Sequence, residues 1–239
     1  MTRNNWDRFA AGRFEEFLDR AEDHLLTLYV DTLIEPKVVT RSVVRLVLKD
    51  AQILAKRLKC PTERMVVLLA KCFIVLGCDF TTDPRFVGLR NQVHVFARSG
   101  SPQGNPIDTY LSRFECIASA KTARFSLSDI ETLGECIDVD RGAALLEALA
   151  DTKQTEGLFE RDVLWPSVSA GLNWARELDL HDRRLWVLLA IFGFRFGPGF
   201  MRDPLLPSLQ NLPSLRNVRT REDVLMPLLA TIMETSDGR

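Results

Sequence analysis

The chain reads as an all-α protein, a two-lobed helical bundle built from two diverged helical-hairpin repeats at about residues 41–97 and 161–210. Three observations predict this: an ungapped internal match, apolar stripes at helical spacing, and no sustained period-two alternation that would mark strands. Residues 61–84 read PTERMVVLLAKCFIVLGCDFTTDP and residues 181–204 read HDRRLWVLLAIFGFRFGPGFMRDP, an offset of 120. Identities fall at Arg64/Arg184, Val67/Val187, Leu68/Leu188, Leu69/Leu189 and Ala70/Ala190, then at Gly77/Gly197, Phe80/Phe200, Asp83/Asp203 and Pro84/Pro204. Upstream, the same offset pairs Arg41 with Arg161, Val43 with Val163, Ala55 with Ala175 and Leu58 with Leu178. A coincidence would not concentrate on glycine, proline and core positions.

The repeated unit has a mechanical reading. Its first helix, about residues 40–58, carries Val43, Val47, Leu54 and Leu58 on one side. Its second, about 61–76, carries Met65, Leu68, Leu69, Cys72, Phe73 and Leu76, so the two stripes face each other. Pro61 suits a first turn, where a missing N–H costs nothing, and Gly77 suits the residue after the helix, where φ turns positive. Phe80 is placed to fold back over the helix end, and Asp83-Pro84 reads as N-cap and first-turn residue of a helix running through Val87 toward Val95. Gly197, Phe200, Asp203 and Pro204 repeat all four devices in the second copy. Further helices are expected at Trp6 to Val30, Ile107 to Ser119, Asp129 to Cys136, Arg141 to Ala150, Glu160 to Leu178, Arg183 to Phe196 and Glu222 to Met233. Capping boxes are read at Ser128-Asp129-Ile130-Glu131 and Thr220-Arg221-Glu222-Asp223. Arg98–Asn105 and Gln210–Arg219 read as loops, and the first divides a single all-helical domain, 1–239, into lobes at 1–100 and 101–239.

Composition bounds the class. An apolar share of 46% and a charged share of 26% are those of an ordinary globular protein, and the net charge of −1 gives no push toward nucleic acid. No apolar run approaches a membrane span and the opening Met1-Thr2-Arg3-Asn4-Asn5-Trp6-Asp7 lacks the apolar core of a secretory signal, so a cytoplasmic location without membrane insertion is expected. Five cysteines, Cys60, Cys72, Cys78, Cys116 and Cys136, read as reduced thiols rather than a disulfide framework.

No catalytic centre is legible. Asp83 and Asp203 could be imagined as a paired acid, but capping already accounts for their type, their place and the adjacent proline. His24, His94 and His181 form no zinc pattern with the cysteines, Gly197-Pro198-Gly199 lacks the lysine of a phosphate loop, and no cofactor is expected. The charge pattern is polarised. Residues 36–71 hold nine bases against two acids, a net of +7, with Arg41, Arg45 and Lys49 four apart on one helix face and Lys56 further along it. Residues 129–162 hold ten acids against three bases, a net of −7. These are read as solvated faces, attracting each other across the lobes, or as a dipolar surface in which Arg41, Arg45, Lys49 and Lys56 meet a charged protein partner. Trp165, Trp174, Trp186, Phe192, Phe194, Phe196 and Phe200 crowd the second lobe; helical spacing assigns them to the core, with an exposed peptide groove as the alternative.

The segment GCDFTTDP, preceded by TERMVVLLAKCFIVL and by a basic amphipathic helix ending AKRLKC, resembles a family of helical proteins of Gram-negative bacteria encoded near type VI secretion effectors and their spike and adaptor genes. The likeness is clearest over residues 40–97. The family pattern carries proline and tryptophan after the Asp-Pro step, where this chain has Arg85-Phe86-Val87 and Leu205-Leu206-Pro207. The resemblance brings no catalytic residues. It implies a non-enzymatic accessory factor, a chaperone or adaptor that holds a secreted effector, toxin or spike component; the alternative is an immunity protein that neutralises a cognate toxin.

Overall fold

In the computed structural model, residues 3–29, 37–99, 107, 111, 125–137 and 161–232 are described, and among them the chain is all-α with no strand. The helices are α1 (Arg3–Tyr29), α2 (Arg41–Arg57), α3 (Glu63–Leu76), α4 (Val87–Ser99), α5 (Leu127–Cys136), α6 (Arg161–Glu177), α7 (Arg183–Phe196), the single turn α8 (Pro207–Gln210) and α9 (Val218–Ile232). Apart from Ile107 and Leu111, the helix expected at Ile107–Ser119, and with it the helix expected at Arg141–Ala150, most of the Arg98–Asn105 loop and Cys116, lie outside the described residues.

Two apolar cores organise the bundle. In the first, Val44, Val47, Leu48 and Ala51 of α2 pack with Met65, Leu69, Cys72 and Leu76 of α3, and α1 closes one side through Phe17, Leu18 and Leu25. In the second, Leu164, Val168 and Leu172 of α6 pack with Leu185, Leu188, Leu189 and Phe192 of α7, flanked by Ile130 of α5 and by Leu225 and Leu229 of α9. The first core also takes side chains from beyond residue 100. Ile107, Leu111 and Leu205 are buried in the first core, because a chain crossing between lobes deposits its apolar side chains wherever a hole is offered.

Local signals explain most helix ends. Thr40 and Thr62 cap α2 and α3 by accepting the N–H of Val43 and Met65. Asp182 caps α7 by accepting the N–H of Arg184. Backbone hydrogen bonds recur 120 residues apart: Cys60 N–H to Ala55 C=O (3.0 Å) and Leu180 N–H to Ala175 C=O (3.1 Å) close the two first helices, with Lys59 and Asp179 both at positive φ (57° and 54°). Two expected capping boxes sit elsewhere. The box opening α5 is Ser126 with Asp129, each accepting the other's backbone N–H, not one at Ser128. α9 starts at Val218, with Asn217 accepting the N–H of Arg219 at 2.8 Å, so Thr220 lies inside the helix. Glu222 turns instead toward the start of α7, where two unbonded donors await it, and accepts from His181 N–H (2.8 Å) and Asp182 N–H (3.1 Å). The expected Gln210–Arg219 loop contains a 3-10 turn, Leu212–Ser214, and the first residues of α9.

Candidate functional site

The repeated motif builds the junction between the lobes. α3 and α7 each end at a glycine in a backbone conformation nearly closed to other residues, Gly77 at φ 98°, ψ 167° and Gly197 at φ 90°, ψ 169°. Each glycine C=O accepts the N–H three residues on, from Phe80 at 3.3 Å and Phe200 at 3.2 Å, and both phenyl rings are buried. The turns present their glycines to each other's repeat. Gly77 lies directly under the Phe196 carbonyl with the Asp203 carboxylate beside it, and Gly197 lies under the Asp83 carboxylate and the Arg85 guanidinium. Close approach of backbone and carboxylate is what the missing Cβ permits.

Asp83 and Asp203 are both 1% exposed. Each accepts the N–H two residues later, Arg85 for Asp83 and Leu205 for Asp203, both at 2.9 Å; Asp83 thereby caps the turn that follows it as expected, whereas Asp203 makes the same bond at the end of the Phe200–Arg202 turn and starts no helix. Pro84 then opens a 3-10 turn running into α4, whereas after Pro204 the next helix waits until Pro207, so the fourth device is not reproduced in the second copy. The local bond is only half of their duty. Each carboxylate also holds a buried cation against a buried carbonyl near the C-terminal end of a main helix. Arg85 binds both Asp83 oxygens and reaches across to donate to Phe194 C=O of α7. Lys37 lies 4.0 Å from Asp203 and donates to Ile74 C=O of α3 at 2.6 Å, with its ammonium 5.1 Å from the Phe196 ring centre. Ile74 and Phe194 are again 120 apart, but the cations are not equivalents: the second copy has Leu205 where the first has Arg85. Leu205 is buried in the first core and its C=O accepts Val38 N–H at 2.8 Å, which seats the strap carrying Lys37.

Burial dominates the electrostatics here. It pushes the Lys37 ammonium below its ordinary value, against the pull of Asp203, and the Asp203 carboxyl above its own, against the pull of Lys37. Cys78, half-buried beside them, points its thiol at Gly199 C=O (3.4 Å) and is pushed up to about 12 by burial and by the carboxylates of Asp203 and Asp79. A thiol held protonated is a poor nucleophile. The cluster is therefore suited to joining the lobes. Lys37 is the residue that sequence reasoning missed; the signal was the leucine at 205, which leaves Asp203 without the neighbouring base that Asp83 has.

The basic stripe is divided by the fold. Arg41 pairs with Glu22 (3.0 Å) and Asp23 of α1, and Arg45 with Glu15, Asp19 (2.7 Å) and Glu22 (2.9 Å). These guanidiniums, expected to meet a partner or the acidic 129–162 stretch, instead fasten α1 onto α2, since α1 lays its carboxylates along the same helix face. Residues 138–160 of the acidic stretch lie outside the described residues. Lys49 and Lys56 are exposed, and beside them on α2 stand Leu46 and Ile53, 53% and 48% exposed.

Of the aromatics, Trp186, Phe192, Phe194, Phe196 and Phe200 are buried, while Trp165 and Trp174 are partly so. Trp165, Trp186, Leu172 and Ile137 wall a half-open cavity of about 270 Å3 whose polar side is Ser169, Asn173 and Arg176. Arg195 of α7 is largely buried, and desolvation lowers its guanidinium to about 10. Among the described residues no three His, Cys, Asp or Glu side chains gather as a metal site, and no helix is long and apolar enough to cross a membrane. His24, His94 and His181 are exposed. No protein-family model, curated protein or solved structure matches this chain.

Proposed function

We propose that the chain is a non-enzymatic, protein-binding accessory factor, a chaperone or adaptor of a type VI secretion effector module that works in the cytoplasm. The observation that carries this reading is the burial of the repeated Gly, Phe and Asp positions in the lobe junction, where their chemistry serves architecture. The resemblance of residues 40–97 to proteins encoded beside such effectors supplies the setting. Lys49 and Lys56, with Leu46 and Ile53, offer a cationic and apolar strip for an acidic protein surface, and Arg41 and Arg45 support it from behind by fixing α1.

Deleting the gene is expected to abolish delivery of the neighbouring effector while leaving the toxicity of the isolated effector unchanged. Rescue of cells that express the isolated toxin would instead assign the protein as its immunity factor. Asp83→Asn and Asp203→Asn are expected to lower stability first; a variant that keeps its stability but loses a turnover would mark an enzyme.

A further inference from the structure

We infer that the exposed strip of α2, Leu46, Lys49, Ile53 and Lys56, takes the acidic face of α5, Leu127, Glu131 and Glu135, of a second copy of this chain. The inference rests on the reading of that strip as a surface for an acidic protein and adds which protein it is. The four α2 residues fall within about 80° of one another around the helix, and all four are exposed. Asp50 is the one acid of α2, against the exposed Lys49, Lys56 and Arg57, so this side of the helix is net positive, while Arg41 and Arg45 are taken by α1.

The complement is α5. Its acids are Asp129, Glu131 and Glu135, and it has no base. Asp129 is engaged with Ser126 in the cap, whereas Leu127, Glu131 and Glu135 follow one another four apart along one exposed face, with Leu127 43% exposed. Within one chain α2 packs on α1 and α3, and α5 on α7. None of Lys49, Lys56, Glu131 and Glu135 makes an ion pair with a described residue. Arg184 lies near enough to feel Glu131, but its guanidinium is bound to Asp182. Both faces thus present unpaired charge beside exposed aliphatic side chains, and of opposite sign. Their spacings also agree. At about 1.5 Å of rise per residue, setting Leu127 on Leu46 with the helices parallel brings Glu131 within about 2 Å of the level of Lys49 and Glu135 within about 3 Å of that of Lys56. Ile53 then lies between the two pairs. The contact joins unlike patches, the first lobe of one copy to the second lobe of the next. Seven exposed side chains bury little surface, so the association is weak and carried by charge.

Sedimentation velocity of the full chain at about 0.01 M and about 1 M salt reads the contact, since charges act over about 30 Å in the first and about 3 Å in the second. The mean mass is expected to rise with protein concentration at low salt and to stay that of one chain at high salt. Lys49→Glu with Lys56→Glu, and separately Glu131→Lys with Glu135→Lys, change exposed residues. Each pair is expected to weaken self-association at least about tenfold while leaving thermal unfolding close to that of the parent chain. Mixed together, the two variants are expected to associate again, because each then meets the other with opposite charge on both faces. A single-chain mass at low salt at every concentration overturns the inference. So does association that strengthens with salt, which would be apolar, and so does a mixture in which the variants stay apart. None of these outcomes touches effector delivery, whose independence of the gene is what would sink the functional reading.

Discussion

The hairpins α2/α3 and α6/α7 have helices of equal length, 17 and 14 residues in each, and pack them differently. In the second hairpin the helices meet through glycines: Gly171 lies against the Leu189 carbonyl and Gly193 against the Ser167 carbonyl, each too close to admit a Cβ. The first hairpin has Ala51 and Phe73 at those positions. The aromatic filling moves accordingly. Phe73 meets Phe80 edge-on at 5.1 Å in the first lobe, whereas Phe192, one position earlier in the repeat, meets Phe200 at 6.4 Å and Phe196 at 5.6 Å in the second. Besides the buried Leu-Leu-Ala of the second helix, the letters common to both copies steer the backbone or hold the junction; elsewhere volume inside each core shifts between positions as long as it is filled.

The junction offers the largest test of that distinction, since its two carboxylates are alike and their cations are not. Arg85→Leu gives the first copy the residue of the second. It strips a buried carboxylate of its partner and Phe194 C=O of its donor, and a loss of about 3–5 kcal/mol is expected in urea unfolding. Lys37→Met is expected to cost less, and in a pH-dependent way. Burial already holds Asp203 above its ordinary 3.8, so the folded chain binds its proton more readily than the unfolded chain. The penalty of the ionised carboxylate is therefore absent below about 3.8 and grows as pH rises through the folded value. A variant that is equally destabilised at pH 3.5 and pH 7 would show that Lys37 acts through packing alone.

The glycine turns come next, and here the halves should separate by geometry. Gly77→Ala and Gly197→Ala both place a Cβ in a strained region, worth about 1–3 kcal/mol. At Gly197 the new atom meets side-chain ends, Asp83 Oδ2 at 3.1 Å and Arg85 Nη2 at 3.2 Å, which can give by a few tenths of an ångström. At Gly77 it meets the Phe196 carbonyl, a backbone atom of a packed helix end. Gly77→Ala is accordingly expected to exceed Gly197→Ala by about 1 kcal/mol or more in chemical denaturation. The reverse order would mean that the side chains, not the backbone, fix the turn.

What the sequence made legible follows the same line. Gly77, Phe80, Asp83 and their counterparts could be assigned to helix ends and caps because those duties are local, set by φ and by N–H groups two or three residues away. That Asp83 lies on Gly197, and Asp203 on Gly77, could not be read, since a reciprocal contact depends on how the repeats are turned toward each other. Arg41 and Arg45 were legible as one face of a helix but not as the seat of α1, because an acid 18 to 30 residues upstream competes equally with any other acid until the tertiary path is known. Trp165 was legible as a helix-spaced aromatic; that its face stays half-open depends on Ile137, 28 positions away in sequence, and on Trp186 of the next helix.

Interhelical distance gives a smaller test. Gly171→Ala must push α6 away from the Leu189 carbonyl, an overpacking expected to cost about 2 kcal/mol. Ala51→Gly makes the corresponding change in the other direction on α2, where a buried methyl and helix propensity are lost together, and about 1–2 kcal/mol is expected. A double variant whose losses simply add would show that the two cores unfold without sensing each other's spacing.

The smallest difference lies in the caps of the second helices. α3 is capped by Thr62, whose hydroxyl does not titrate in the acid range, and α7 by Asp182, whose carboxyl is held below its ordinary range first by the Arg184 side chain and then by the Arg184 backbone N–H. A folded value below the unfolded 3.8 means that the stabilisation is present above 3.8 and fades as pH falls through the folded value. Asp182→Thr gives α7 the cap of α3. At pH 7 the loss should stay within about 1 kcal/mol, because the Asp182–Arg184 pair is partly solvated and the threonine still accepts a helix N–H. As pH falls below 3.8 and on through the folded value, the urea midpoints of the two proteins should draw together, because the aspartate loses the charge that sets it apart from threonine. Curves that stay parallel from pH 7 to pH 3 would leave the carboxylate no electrostatic role, and α7 would then be anchored at its start by Glu222, which already accepts the His181 and Asp182 N–H groups.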